Sequence, residues 1–188
     1  LYEPRAFGGI NGASAQMKPG TGIHAKAHSV AGFAPQRHIA IKIAIPSNSE
    51  RSDRNSFGRD EFGNWVLTLG AESQGGGVCG GVLVSSLNRP ADQTLPAAFV
   101  EKLRYTTSLE DELITRLLAT EARYLDNAPY NCFPDENPGM YNSNSFAAGL
   151  LDATGMLKPE NPTRLPVALT KQAYPGWLTP LPVVFFNP

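Results

Sequence analysis

Residues 38–45 read His-Ile-Ala-Ile-Lys-Ile-Ala-Ile, with isoleucine at every second position. A two-residue alternation that includes β-branched side chains is typical of a β-strand. Pro46 follows directly and ends the stretch, because proline cannot donate a backbone hydrogen bond to a neighbouring strand. The sequence therefore predicts a strand over 38–45.

Two more strands are indicated further along the chain. Gly63-Asn64 predicts a turn, and residues 65–69 (Trp-Val-Leu-Thr-Leu) predict a second strand that pairs antiparallel with the first. A glycine-rich stretch at 75–81 then precedes a third strand, predicted over 82–87.

The second half of the chain has helical patterns instead. Thr107 and Ser108 each have an acidic residue three positions on, which is the capping-box pattern, and the apolar spacing that follows predicts a helix of about 18 residues. Residues 143–154 predict another helix, with Asn142 or Ser143 as its N-cap and Gly155 just past its end. Strands followed by helices indicate an α+β fold, in which a small antiparallel sheet packs with two or more helices.

A length of 188 residues fits one domain, with three parts along the chain. Residues 1–35 are rich in Gly, Ala and Ser and predict an extended lead-in, and residues 36–157 hold the α+β core. Prolines recur through residues 158–188, which predict a C-terminal arm packed on the core. Its last apolar residues form either an edge strand or part of that arm.

Composition excludes several classes of partner. The chain has 16 Lys+Arg against 17 Asp+Glu, so no basic excess exists to bind nucleic acid. Its apolar runs are only a few residues long, so we predict no transmembrane segment. Gly75, Gly77 and Gly80 match G-x-G-x-x-G, but a strand follows them where a dinucleotide site needs a helix. We therefore interpret them as a hairpin loop and expect no cofactor.

The cysteines and histidines give weaker signals. Cys79 and Cys132 either form one bridge or are both free, and neither stands at the start of a sustained helix that would activate a thiol. His24 and His28 are four residues apart, which on a helix would suit zinc. The glycines around them disfavour a helix, so we predict no metal site.

Residues 140–146 place small hydroxyl side chains at the first turn of the later helix. One interpretation is that these residues only cap the helix. The other is catalytic, with Ser143 as nucleophile, His38 as its general base and backbone N–H groups at the helix start holding the oxyanion. Ser145 is a fallback nucleophile.

A strand histidine, a turn-linked strand, a long helix and Tyr-Asn-Ser-Asn-Ser-Phe opening another helix together resemble one known group. This is the circularly permuted branch of the papain-like NlpC-type superfamily, which includes the lecithin:retinol acyltransferase-like proteins. The resemblance covers about residues 36–155. It assigns these positions: His38 as base, Ser143 in place of the family's cysteine nucleophile, Asn142 and Phe146 as its flanking residues, and Glu72 as the third polar residue, with Ser73 or Asn64 as alternatives.

The resemblance implies an acyl hydrolase or acyltransferase that acts on a peptide amide or a lipid ester, in a secreted or periplasmic bacterial protein of effector or toxin type. Serine in place of cysteine leaves three interpretations open: a native serine nucleophile, an introduced replacement, or a degenerate site. The degenerate site predicts a non-catalytic secreted interaction or effector-associated module, with a protein partner at the termini.

Overall fold

The computed structural model describes residues 20–30, 32, 36–77, 79–103, 105, 109–156 and 174–187. The strands in these residues are β1 (Gly22–Ser29), β2 (Arg37–Ile45), β3 (Gly58–Arg59), β4 (Trp65–Gly75), β5 (Gly81–Leu87), β6 (Ala97–Lys102) and β7 (Ala128–Pro129). The α-helices are α1 (Pro90–Thr94), α2 (Glu110–Glu121) and α3 (Ser143–Ala153). The strands form one antiparallel sheet in the order β6-β1-β2-β4-β5-β7, with β3 paired to β4. The α+β class predicted from the sequence is confirmed.

The isoleucines of β2 define one face of the sheet. Alternate residues of a strand point to the same side, so Ile39, Ile41, Ile43 and Ile45 lie together, and each is at most 1% exposed. Helices α2 and α3 pack on this side and contribute their apolar residues to the same core. We call it the isoleucine face.

The opposite side of the sheet is rich in histidine and lysine. In the antiparallel register His24 of β1 lies opposite Lys42 of β2, and His28 lies opposite His38. Paired residues project to the same side, so these four side chains share one face with Lys26. We call this the polar face, and the short helix α1 covers part of it.

Strand β1 lies within the predicted lead-in and corrects that prediction over residues 22–29. It is an inner strand, paired with β2 on one side and β6 on the other. Its side chains on the isoleucine face are Ile23, Ala25 and Ala27, and the two alanines give only a weak hydrophobic signal. Residues 1–19 lie outside the described part of the chain.

The two predicted helices are found, with different bounds. Helix α2 has 12 residues rather than about 18, and residues 106–108 lie outside the described part of the chain. After α2 the chain turns inward, so that the Tyr124 hydroxyl donates to the Leu83 carbonyl at 2.7 Å. Helix α3 begins at the predicted residue, and Gly155 follows it with φ +73°. No helix among the described residues is long and apolar enough to cross a membrane.

Helix α1 was not predicted from the sequence. Pro90 occupies its first turn, where the missing proline N–H leaves no intrahelical bond unmade. The helix is only five residues long, so it has no apolar periodicity to reveal it. The glycine-rich stretch before β5 forms the tip of the β4–β5 hairpin, as predicted.

The described C-terminal residues, 174–187, pack on the core as an arm. Leu181 and Phe186 are fully buried, and the Leu181 N–H donates to the Ser145 carbonyl at 2.8 Å. Residues Val183–Phe186 form a 3-10 turn rather than an edge strand. Residues 157–173 lie outside the described part of the chain.

Candidate functional site

A buried carboxylate joins two histidines on the polar face. Asp92 of α1 places Oδ1 3.0 Å from His28 Nε2 and 2.9 Å from His38 Nε2. The three side chains are 0–4% exposed, and the imidazole centroids are 4.8 Å apart. Because His28 and His38 face each other across β1 and β2, the docking of α1 brings all three groups together.

Arg89 extends this cluster towards solvent. Its Nη2 lies 3.2 Å from Asp92 Oδ1, and its Nη1 lies 3.1 Å from Glu72 Oε2. Within the described part of the chain, Glu72, the predicted third catalytic residue, is thus linked to His38 only through Arg89 and Asp92. Its side chain is 56% exposed.

Three buried atoms of the cluster lack a hydrogen-bond partner among the described residues. They are Asp92 Oδ2, His38 Nε2 and Arg89 Nε. His38 Nε2 nevertheless lies within ion-pair distance of Asp92 Oδ1, at 2.9 Å. Gly70 lies beneath both groups, and a Cβ at that position would overlap Asp92 Oδ2. The cluster therefore needs glycine at position 70.

Burial and charge act in opposite directions on these groups. Burial lowers the pKa of His38, and the neighbouring Asp92 only partly offsets this effect. Burial by itself would raise the pKa of Asp92, but the contacts with His28 and His38 and the Arg89 charge hold it below its usual range. Asp92 is therefore a buried anion at neutral pH.

Ser143 lies on the other side of the sheet. It is the first residue of α3 and lines a cavity of about 250 Å³ together with Arg37, Tyr130 and Phe133. Among the described residues, no histidine or carboxylate lines this cavity. His38 turns to the polar face instead, so the structure does not bring the predicted base and nucleophile together. Their catalytic roles stay a prediction.

The hydrogen bonds of Asn144 keep His38 and Ser143 on opposite sides of the sheet. Its Oδ1 accepts from the Ile39 N–H at 2.7 Å, and its Nδ2 donates to the Arg37 carbonyl at 2.9 Å. These bonds fix the start of α3 against the isoleucine face of β2. His38 stands between the two bonded residues, so its side chain points away from α3.

The other polar residues at the start of α3 have structural partners. Asn142 is the N-cap, and its Oδ1 accepts from the Asn144 and Ser145 N–H groups at 2.9 and 3.0 Å. The Ser145 hydroxyl is fully buried and donates to the Gly176 carbonyl at 3.1 Å. Its burial argues against a role as fallback nucleophile.

The alternatives for the third polar residue are also bound locally. The Ser73 hydroxyl donates to the Gly80 carbonyl at 2.5 Å, within the β4–β5 hairpin. Asn64 donates its N–H to Asp60 Oδ1 at 2.9 Å, within the turn before β4. Neither contact involves His38.

Cys79 and Cys132 form a disulfide, with Cα atoms 5.0 Å apart. The bond ties the tip of the β4–β5 hairpin to the loop that leads into α3. Neither sulfur is therefore a free nucleophile, and the choice that the sequence left open is settled in favour of the bridge.

A second cavity, of about 160 Å³, opens on the polar face. Its charged or hydroxyl-bearing lining residues are Lys26, Lys42, Arg59, Asp60, Thr68 and Asp92. The Lys42 ammonium makes no hydrogen bond or ion pair with any described residue. The Thr68 hydroxyl is 1% exposed and likewise has no partner among the described residues. We call this space the lysine cavity.

Both carboxylates of the lysine cavity already make contacts, although Asp92 Oδ2 has no hydrogen-bond partner among the described residues. Asp60 accepts from the N–H groups of Phe62 and Asn64 and from the Asn64 side chain, and Asp92 is held in its cluster. Lys26 donates to the backbone carbonyls of Asp92 and Gln93. Lys42 is thus the cation in this cavity for which the described residues supply no partner.

The pKa of His24 is sensitive to the positive charge around this cavity. Burial, followed by the charges of Lys42 and Lys102, lowers its pKa from 6.5 to about 4. Between these two pH values His24 is neutral in the folded protein and protonated in the unfolded chain. The unfolded state then binds more protons, so a fall in pH favours unfolding.

We therefore expect His24→Gln to flatten the pH dependence of stability between pH 6.5 and about 4. One such group contributes a slope of at most about 1.4 kcal/mol per pH unit. Urea unfolding of both proteins at several pH values measures the difference. Equal slopes for wild type and variant would show that His24 titrates normally when folded.

No family model, curated protein or solved structure matches the chain. The papain-like resemblance therefore stays a prediction. Lys26, Lys42, Thr68 and Asp92 were not predicted as site residues from the sequence. The alternation of residues 23–28, Ile-His-Ala-Lys-Ala-His, was the signal for β1 and hence for Lys26.

Proposed function

We propose that the protein is a non-catalytic domain that binds a small oxyanion, a phosphate or carboxylate group, in the lysine cavity. The observation that carries this proposal is the Lys42 ammonium, which shares a cavity with Lys26 and has no counter-ion among the described residues. An anion in the cavity would supply the missing partner.

The arrangement of the strands supports the proposal. Lys42 lies opposite His24 on β1 and opposite Thr68 on β4, and Lys26 is its diagonal neighbour on the same face. Two like charges placed this close repel each other, and partial burial strengthens the repulsion. The fold therefore holds an unfavourable charge pair whose energy an anion would lower.

The side chains that line the lysine cavity also indicate the class of ligand. Two ammonium groups and a hydroxyl are hydrogen-bond donors suited to phosphate or carboxylate oxygens. Arg59 is exposed, with its guanidinium 3.5 Å from the centroid of the Trp65 ring, so it adds positive charge without filling the cavity. A volume of about 160 Å³ corresponds to roughly five water molecules. A cavity of this size suits one small anionic group better than a long-chain ligand.

Lys42→Gln tests the proposal with inorganic phosphate as the probe. We expect phosphate affinity, measured by calorimetry at low salt, to fall at least tenfold, or about 1.4 kcal/mol. Without phosphate, we expect the same variant to melt at a higher temperature than wild type, because the repulsion between Lys42 and Lys26 is gone. Phosphate affinity should fall while the melting temperature rises. General damage to the fold would lower both.

Lys102→Gln is the matched control. Lys102 projects from the polar face of β6, but it is half exposed, bonds to the Thr21 carbonyl and does not line the lysine cavity. Its removal should leave phosphate affinity within about twofold, a change of roughly 0.4 kcal/mol. Equal losses in the two variants would mean that phosphate responds only to overall charge, and the proposal would fail.

Acyl transfer at Ser143, which the sequence predicts, is the second candidate. One observation favours it: Ser143 is half-buried at the first residue of α3 and lines the 250 Å³ cavity. The described residues of that cavity include no histidine or carboxylate to activate a hydroxyl, which is a weak nucleophile by itself.

A fluorophosphonate probe separates the two candidates. Because Ser143 has no base among its described neighbours, we expect no labelling of the wild type above the level of Ser143→Ala. Labelling that is lost in both Ser143→Ala and His38→Ala would instead support acyl transfer and require His38 to turn towards α3.

A further inference from the structure

We infer that His28, His38 and Asp92 form a binding site for a divalent transition metal of the zinc type. One ring nitrogen of each histidine and one carboxylate oxygen lie within 4.8 Å of one another, and all three residues are buried. The inference does not rest on the proposed oxyanion function, although Asp92 also lines the lysine cavity.

The tautomer of His28 places two hydrogen-bond acceptors against each other. Its Nδ1 lies 3.1 Å from the Ser29 carbonyl, which only accepts hydrogen bonds, so Nδ1 carries the hydrogen. In a neutral ring Nε2 is then a bare acceptor, yet it lies 3.0 Å from Asp92 Oδ1, another acceptor. A cation between the two atoms resolves this conflict. A backbone carbonyl on the distal nitrogen is also the usual support of a metal-bound histidine.

Two atoms of the proposed ligand residues have no hydrogen-bond partner among the described residues. His38 Nε2 and Asp92 Oδ2 are buried, and neither has a hydrogen bond to a described residue. A buried polar atom without a partner carries a penalty of about 1–3 kcal/mol, so two such atoms in one cluster call for an explanation. Metal coordination would satisfy both groups.

The distances and ligand types fit zinc. Bonds of about 2.0–2.1 Å at tetrahedral angles place ligand atoms about 3.3 Å apart. The two nitrogens lie 3.0 and 2.9 Å from Asp92 Oδ1, and all three ligand atoms lie within 4.8 Å of one another, so side-chain movements would bring them to these distances. Two imidazoles and one carboxylate leave a coordination position open, as in zinc and non-haem iron centres.

Nearby cations oppose the ion and limit its affinity. Arg89 Nη2 lies 3.2 Å from Asp92 Oδ1, and Lys26 Nζ bonds to the Asp92 backbone carbonyl. The competing explanation is a metal-free ion cluster in which His28 is protonated and donates to Asp92. The two explanations differ in whether the protein takes up a metal with His38 as a ligand.

Zn²⁺ is the probe, added to protein that has been treated with EDTA and dialysed. We expect one Zn²⁺ per chain by calorimetry, and a loss of affinity of more than about 100-fold in both His28→Gln and His38→Gln. Co²⁺ added in place of Zn²⁺ should give a visible absorption band, which the same two variants abolish. The disulfide leaves no free thiol among the described residues to bind these metals.

His24→Gln is the matched control, because His24 is equally buried on the same face of β1 but lies outside the cluster. Its Zn²⁺ affinity should equal that of wild type. In the wild-type protein, Zn²⁺ should also move the imidazole NMR signals of His28 and His38 and not those of His24, a result that needs no variant to fold. Absence of saturable Zn²⁺ uptake, or equal uptake by all three variants, would overturn the inference.

Discussion

Replacing Asp92 with alanine is expected to lower the free energy of unfolding by about 3–5 kcal/mol, because it breaks a buried ion cluster from one side. The substitution leaves His28, His38 and Arg89 next to one another without their shared carboxylate. It also removes one of the side-chain contacts that hold α1 on the polar face, next to the bonds from Lys26 to the Asp92 and Gln93 carbonyls. Chemical denaturation of the metal-free protein measures the loss.

Asp152→Ala is the matched control for this substitution. Asp152 is an exposed carboxylate on α3, so its removal should change stability by no more than about 0.5 kcal/mol. If Asp92→Ala were as mild as its control, Asp92 would not be the centre of the cluster.

Loss of the disulfide should have an effect of similar size. Cys79 and Cys132 are separated by 53 positions, and a loop of this length predicts a contribution of about 4 kcal/mol through restriction of the unfolded chain. For a chain of this size we expect the double variant Cys79→Ser/Cys132→Ser to melt roughly 8–16 °C lower. Differential scanning calorimetry gives the melting temperatures.

A reductant provides the control for the double variant. Wild-type protein treated with a reductant should lose the same stability, whereas the double variant should not respond to it. A reductant that destabilises both proteins equally would act elsewhere, and an unchanged melting temperature in the double variant would show that the bridge adds nothing.

Much of the sheet could be predicted because β2 has a strong local signal. The isoleucines alternate without exception, so the strand and its two faces follow from the sequence alone. β1 has the same alternation, but alanine takes the apolar positions, so the contrast is low. Helix α1 has too few residues for any periodic signal.

The two-residue alternation of β2 already indicates that His38 and the start of α3 lie on opposite sides of the sheet. If Ile39 and Ile41 face the helices, the residue before them must face the other way. His38 therefore belongs with Lys42 rather than with α3. The position of Asp92 could not be predicted from the sequence, because it is 64 residues from His28 and no local sequence pattern indicates where a five-residue helix packs.

We propose that ligands bind on the polar face of the sheet and not at the start of α3. The most direct test follows backbone amide NMR signals of the wild-type protein while inorganic phosphate is added. We expect the largest saturable shifts at Lys26, Lys42 and Thr68, which line the lysine cavity. Shifts centred on Ser143 and Arg37, or no saturable shift at all, would contradict the account.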